Sequence, residues 1–306
     1  MNKLRKAVED YIDMRRSLGY KLHQPAVLLP DFISFLEQKG ASYITIPLAV
    51  EWSERNRSAR PAEWARRLTI VRCFARHWSA SDPRTQIPPW GLMPHRPRRA
   101  RPYIYTDAEV RGLLQAARRL DGLRGLTYHC LFGLLSVTGM RISEALNLQP
   151  HDVDLSEAIL TVRGAKFGKS RLVPIHASTR KVLRNYIQHR DRTFARKLPY
   201  FFVSTRGNRL DGGEVRRTFY RLSRETGLRG PTASHGPRLH DFRHRLAVRT
   251  LVQWYRSGQD VERRLPVLST YLGHVHVGDT YWYLTACPEL MGLAVKRLEK
   301  RWEGQS

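Results

Sequence analysis

The stretch at 81–102, SDPRTQIPPWGLMPHRPRRARP, carries five prolines before its last residue, itself a proline. Each proline fixes its own φ, removes an amide donor and pushes the residue before it out of the helical region, so no helix crosses this segment. The chain on either side must fold as separate bodies, and 81–102 reads as the linker between them. With 306 residues, 42% of them hydrophobic, the chain has enough material for two cores.

The front body, 1–80, reads as helical. Leu4, Val8, Tyr11, Ile12 and Leu18 fall near helical spacing, with Gly19 placed as a C-terminal cap. PAVLLPDFISFLEQKG predicts a second helix stopped at Gly40 and kinked at Pro30; a third is expected from Pro47 and a fourth after Pro61. Beyond the linker, Thr106 and Glu109 have the spacing of a capping box, so a helix opens there. LTYHCLFGLLSV then reads as a buried helix that breaks at Thr138 and Gly139, before a short helix carrying Arg141 and Glu144. AILTVRG and SRLVPI read as branched strands joined by AKFGK, which puts Lys166 at a hairpin tip. YFFVS at 200–204 is a candidate third strand, and the rest is helical in pattern. The expected class is mainly α with a small β-sheet (α+β).

Charge narrows the partner. A net charge of +26 and a pI near 10.8 create a field that concentrates polyanions, of which nucleic acid is the commonest. Only ten of the 53 basic residues are lysine, and the planar arginine fork suits paired contacts to phosphate. In the linker, RPRRAR offers Arg96, Arg98, Arg99 and Arg101 as DNA contacts. No apolar run reaches the ~18 residues of a membrane span, and MNKLRKAVEDYIDMRR has no apolar signal core. Cys73, Cys130 and Cys287 are odd in number, far apart and set among apolar residues, as in reduced core positions of a cytoplasmic protein.

Several residues could carry chemistry together. His240 and Arg243 lie one helical turn apart and can address one small anion. HDFRH superficially resembles the HExxH zinc motif, but its acid is Asp241 and Arg243 would set a cation beside the metal. No metal and no cofactor is expected. A phenol attacking a phosphodiester needs its developing charge stabilised, which two guanidinium forks and imidazole donors can do without a metal. Tyrosine, with an ordinary pKa of about 10, needs such a cationic site or a nearby base to become a useful nucleophile.

The order TGMRISEALNL, GAKFGKSRLVPI, LHDFRHRLA and then LGH with a tyrosine nine residues after its histidine closely resembles the tyrosine recombinases, or phage integrases. The resemblance spans 103–290, and most closely suggests members encoded by bacterial mobile elements. It implies a catalytic domain at 103–287, a helical core-binding domain at 1–80 that clamps DNA with it, and a terminal helix at 288–306. Arg141 and Arg243 take the positions that bind the nonbridging oxygens of the scissile phosphate. Lys166 takes that of the lysine that protonates the departing 5′ oxygen. His240 implies phosphate contact and proton transfer, His274 a hydrogen bond to the phosphate, and Glu144 an orienting carboxylate. Tyr283 is the implied nucleophile, with Tyr281 in reserve; Tyr271, Tyr281 and Trp282 are expected as packing residues.

The function so implied is site-specific recombination of double-stranded DNA through a 3′-phosphotyrosyl intermediate, without metal or ATP, in the bacterial cytoplasm at the nucleoid. By the same resemblance the partners are two DNA sites, three further copies of the chain in a homotetramer, and possible partner recombinases. The apolar positions Leu290, Leu293, Val295, Leu298 and Trp302 would form the face that docks on a neighbouring protomer, or else on the chain's own domain. A type IB topoisomerase would share the chemistry without pairing two sites, and a noncatalytic accessory protein would bind DNA only. Neither the DNA target nor the direction of the natural event is legible.

Overall fold

The computed structural model describes residues 2–93, 102–164, 170–285 and 288–303. The chain divides into two compact units, one ending at Ala100 and the other starting at Arg101.

The first unit is built from α1 (Asn2–Ser17), α2 (Pro25–Gln38), α3 (Ile46–Glu54) and α4 (Pro61–Trp78). Pro25, Pro47 and Pro61 sit in the first turns of their helices, where the missing amide costs nothing. Leu29, Phe32, Leu36, Trp52, Leu68 and Phe74 close the core. Burying side chains of this size contributes roughly 1.5–3 kcal/mol each. The linker expected at 81–102 departs from its reading in its first half, which packs on this unit. Arg72, buried on α4, donates from Nε to the carbonyl of Pro88 at 2.7 Å and from Nη2 to that of Pro89 at 2.8 Å, and Met93 joins the core. Prolines forbid a helix but leave their carbonyls available, and a buried guanidinium satisfies two of them.

In the second unit α6 (Gly122–Thr138) is the central helix, apolar on most of its circumference. Against it lie α5 (Asp107–Arg118), α8 (Ala177–Thr193) and α10 (Asp241–Arg256). The capping box at the start of α5 forms: Glu109 N donates to Thr106 Oγ1 and Thr106 N to Glu109 Oε2. After α6 come the short α7 (Ile142–Leu146) and an antiparallel sheet of β1 (Val153–Asp154), β2 (Ile159–Val162) and β3 (Arg171–Pro174), in that order. Leu160 pairs with Val173, and both face the core. Helix α9 (Gly212–Glu225) follows. Then come α11 (Val261–Leu272), α12 (Gly278–Tyr281), a 3-10 turn (Trp282–Thr285) and α13 (Pro288–Glu303).

Three expectations change here. YFFVS makes no strand: Val203 forms an isolated bridge to Arg209, while Phe201 N donates to Leu148 O and Val203 N to the Tyr186 hydroxyl. Its aromatic residues are buried, but its amides find separate partners instead of a ladder. Cys73 is exposed on α4, because the helix turns its neighbours Val71 and Phe74 inward; Cys130 is buried, which pushes its thiol up to about 12. Cys287 lies outside the described residues. Tyr281, expected to pack, is half exposed, whereas Tyr271 is partly buried.

Candidate active site

The site is assembled at the end of α11. A helix C-terminus leaves carbonyls without intrahelical donors, and cations are stabilised there. Three successive carbonyls of α11 and its cap each receive an arginine. Arg171 Nε donates to Tyr271 O at 2.8 Å, Arg243 Nη2 donates to Leu272 O, and Arg141 Nη2 donates to Gly273 O at 3.0 Å. These arginines come from β3, α10 and the start of α7.

Two left-handed glycines make the approach possible. Gly273 caps α11 at φ 69°, and a Cβ there would lie 2.8 Å from Nη1 of Arg171. Gly139 caps α6 at φ 62°, and its carbonyl accepts from Arg243 Nη1 at 2.9 Å. The break expected at Thr138 and Gly139 thus also holds an arginine.

Glu144 stands between two of the three forks. Its Oε1 accepts from Arg141 Nη1 at 2.8 Å and from Arg171 Nη1 at 3.1 Å; its Oε2 accepts from Arg171 Nη2 at 2.8 Å and from the Arg141 amide at 2.9 Å. Burial would raise the carboxyl pKa, but the bonds and charges of Arg171 and Arg141 outweigh it and hold Glu144 below the usual carboxylate range. Arg243 is 1% exposed. Burial pushes its pKa down to about 10, with Arg141 and Arg171 acting in the same direction while Tyr283 and Glu144 oppose them. It remains a cation at neutral pH.

The aromatic half of the site faces these arginines. His240 precedes the first residue of α10, and its ring packs 4.7 Å from that of His244. Solvent reaches His240, yet crowding by protein atoms, then the charge of Arg243 and those of Arg238 and Arg141, push its pKa down to about 4 against Asp241. The His244 ring lies 5.4 Å from that of Tyr283, and His274 stacks on Tyr283 at 6.0 Å and 22°. His274 Nδ1 is fixed by the buried Thr280 hydroxyl at 2.7 Å. Tyr283 itself, in the 3-10 turn, is 2% exposed.

Of the residues expected from the sequence, Arg141, Glu144, His240, Arg243, His274 and Tyr283 all belong to this cluster or its immediate rim. Lys166, Arg96, Arg98, Arg99 and Arg101 lie outside the described residues. Sequence reasoning missed Arg171, His244 and Thr280. His244 had a signal, since it lies one helical turn beyond His240 on the same face. Arg171 had only its place at the start of a strand. Among the described residues, no three or more His, Cys, Asp or Glu side chains are grouped to hold a metal ion.

The model of the phage integrase family matches residues 104–289, more than half of the chain. The chain belongs to the phage integrase family. It is a tyrosine site-specific recombinase. Similar proteins include y4rB of Sinorhizobium fredii (strain NBRC 101917 / NGR234), an inferred integrase/recombinase, 56% identical over the full length of both chains. The tyrosine recombinase XerC of Chlamydia caviae is 25% identical across 90% of this chain and 91% of its own. Among solved structures, the Tn1549 transposon integrase in complex with transposon right end DNA superposes with a TM-score of 0.69 at 16% identity, covering 96% of this chain and 98% of that one. A lambda integrase dimer bound to a core site gives 0.57 at 18%, covering 90% and 96%. At these identities the integrase-family chain shares the fold with the solved structures. In the integrase-family chain, as described, no helix is long and apolar enough to cross a membrane.

Proposed function

We propose that this recombinase cuts and rejoins double-stranded DNA through a 3′-phosphotyrosyl intermediate on Tyr283. The observation that carries the reading is convergence: Arg141, Arg243, His274 and Tyr283 come from four separate segments and meet around the end of α11. The phenol oxygen attacks phosphorus, the bond to the 5′ oxygen breaks, and the departing oxygen takes a proton. The products are a DNA 3′-phosphate esterified to Tyr283 and a free 5′ hydroxyl. Attack by a 5′ hydroxyl of another strand reverses the step and releases the tyrosine, so the phosphodiester energy is kept and no ATP is needed.

Each guanidinium has five N–H donors, more than its protein contacts use, so Arg141 and Arg243 can also grip the nonbridging oxygens. His240, held neutral, can accept or relay a proton, and His274 is oriented by Thr280 to donate. Lys166 is the proposed acid for the 5′ oxygen, on the strength of its position in the family motif. Tyr283 and Arg243 are buried, so a phosphate reaches them only after the turn that carries Tyr283, or what packs on it, shifts.

Assembly on DNA is proposed as a homotetramer on two sites. Helix α13 packs on α10 of its own unit through Leu290, while Met291, Val295, Leu298 and Trp302 stay exposed in a stripe. That stripe supports docking on a neighbouring copy. Arg96, Arg98, Arg99 and Arg101 are proposed as contacts to the DNA backbone, on the strength of their charge in the sequence.

The test is covalent trapping. Nicked suicide duplexes tiled across the DNA flanking the gene are incubated with the protein and a chelator, and SDS-resistant adducts are sought. The expected result is an adduct with wild type and none with Tyr283→Phe. An adduct formed by Tyr283→Phe would reject the nucleophile, and none from wild type on duplexes it binds would reject the cleavage reading.

A further inference from the structure

We propose that Arg171 is a positioning residue for the anion-binding arginines: it locks Glu144 and the end of α11 together, so that Arg141 is presented at one fixed place and angle. This rests on the cleavage reading above for its catalytic consequence. It rests on hydrogen bonds alone for the lock itself.

The side chain of Arg171 is 9% exposed and makes no approach to solvent that a solvated cation would make. Two of its nitrogens hold both oxygens of Glu144, and its Nε holds the carbonyl of Tyr271. Glu144 then holds Arg141 by its guanidinium and by its backbone amide. The Arg141 guanidinium returns to Gly273 O, two residues along from the carbonyl that Arg171 grips. The circuit closes through α11, and no member can rotate without breaking a bond to another. A rigid fork supplies this geometry and a flexible ammonium does not.

Gly273 supports the same reading. A Cβ there would meet Nη1, Cζ and Nε of Arg171 at 2.8, 3.1 and 3.3 Å, so the turn before His274 is shaped around this one side chain. Arg171 thereby couples Arg141 to the turn that carries His274. Around Glu144 the described charged groups are Arg141 from the start of α7, Arg171 from β3 and Arg243 from α10. From α11 the Tyr271 phenol faces Arg171.

Removing the Arg171 cation takes away the largest influence that lowers the Glu144 pKa, leaving burial, which raises it, opposed only by the two weaker bonds from Arg141. The carboxylate that orients Arg141 would then be lost as pH falls through the raised value.

The experiment compares wild type, Arg171→Met, Arg171→Lys and Glu144→Gln in the full chain. First, with glutamate carboxyls labelled with 13C and no DNA present, the Glu144 signal, assigned through its loss in Glu144→Gln, is followed with pH. Its midpoint is expected to rise in Arg171→Met and to rise less in Arg171→Lys. Second, single-turnover adduct formation on the suicide duplex is expected to fall about 100-fold in Arg171→Met, with duplex affinity within about twofold of wild type. The deficit should deepen toward low pH. The Arg171→Met/Glu144→Gln double variant should be no slower than the worse single variant. A lesion of folding alone would depress binding and rate together at every pH. An unmoved Glu144 midpoint, or wild-type cleavage in folded Arg171→Met, overturns the proposal. If Arg171→Met does not fold, Arg171→Lys decides both readouts. If wild type itself forms no adduct, the cleavage reading fails while the carboxyl titration still decides whether Arg171 holds Glu144.

Discussion

Replacing Gly139 by alanine tests whether the close approach of three elements at the site is structural necessity. The residue sits at φ 62°, where an L side chain costs roughly 1–2 kcal/mol. Its Cβ would also lie 2.8 Å from Cδ2 of Leu246, 3.3 Å from Cδ2 of Leu272 and 3.5 Å from Cα of Arg243. Leu246 can swing part of the way, whereas Leu272 is fully buried and the Arg243 backbone belongs to α10, so we place the packing cost at about 1–2 kcal/mol. The expected total is about 2–4 kcal/mol. Gly258, in the same unit at φ 67° with nothing within 4 Å of its Cβ, carries the backbone cost alone, about 1–2 kcal/mol. Urea unfolding of Gly139→Ala and Gly258→Ala, followed by circular dichroism, measures the difference. Because the Gly139 carbonyl accepts from Arg243, adduct formation should also fall at least about 10-fold in Gly139→Ala. Gly258→Ala should cleave at the wild-type rate. Equal losses of stability in the two variants would refute the contact argument, and wild-type cleavage by Gly139→Ala would refute the link to Arg243.

Glu144→Gln should destabilise the second unit by about 3–5 kcal/mol at neutral pH, because it leaves two buried or half-buried guanidinium groups facing a neutral amide. Since the folded carboxyl pKa is depressed, that difference should be full above the ordinary carboxylate range and shrink as pH falls through it, which urea titrations at stepped pH will read. His240 has a sensitivity of the same sign, starting at higher pH. With its folded pKa near 4 against an ordinary 6.5, the unfolded chain takes up the proton first, so stability should drop as pH falls from about 6.5 to about 4. His240→Gln should abolish that part of the acid loss, and the ring's NMR titration should centre near 4. Leu298→Ala combined with Met291→Ala should leave the melting temperature within a degree or two, as both side chains are exposed, yet weaken DNA-bound assembly in sedimentation. Unchanged assembly would remove α13 from the docking role.

The helices were legible because their signals are local. Pro25, Pro47 and Pro61 open helices, Gly19, Gly40 and Gly139 end them in the left-handed region, and Thr106 with Glu109 makes the capping box its spacing announces. Hairpin strands β2 and β3 followed from their branched residues. YFFVS misled because an apolar run signals burial and not the presence of a neighbouring strand. The first half of the 81–102 segment misled for a related reason: prolines forbid helix, but whether their carbonyls dock depends on Arg72 in another helix.

The sequence by itself determined the residue types of the site, their order and the family to which the chain belongs, since arginine, histidine and tyrosine carry their chemistry with them. Only the tertiary structure decided that the end of α11 is the hub, that Arg171 rather than solvent neutralises Glu144, and that Tyr283 rests covered beside His244 and His274. Propensity and spacing act over a few residues. The bonds that gather Arg141, Arg171 and Arg243 on three consecutive carbonyls join residues 29 to 132 positions apart, and such partners are fixed by packing alone.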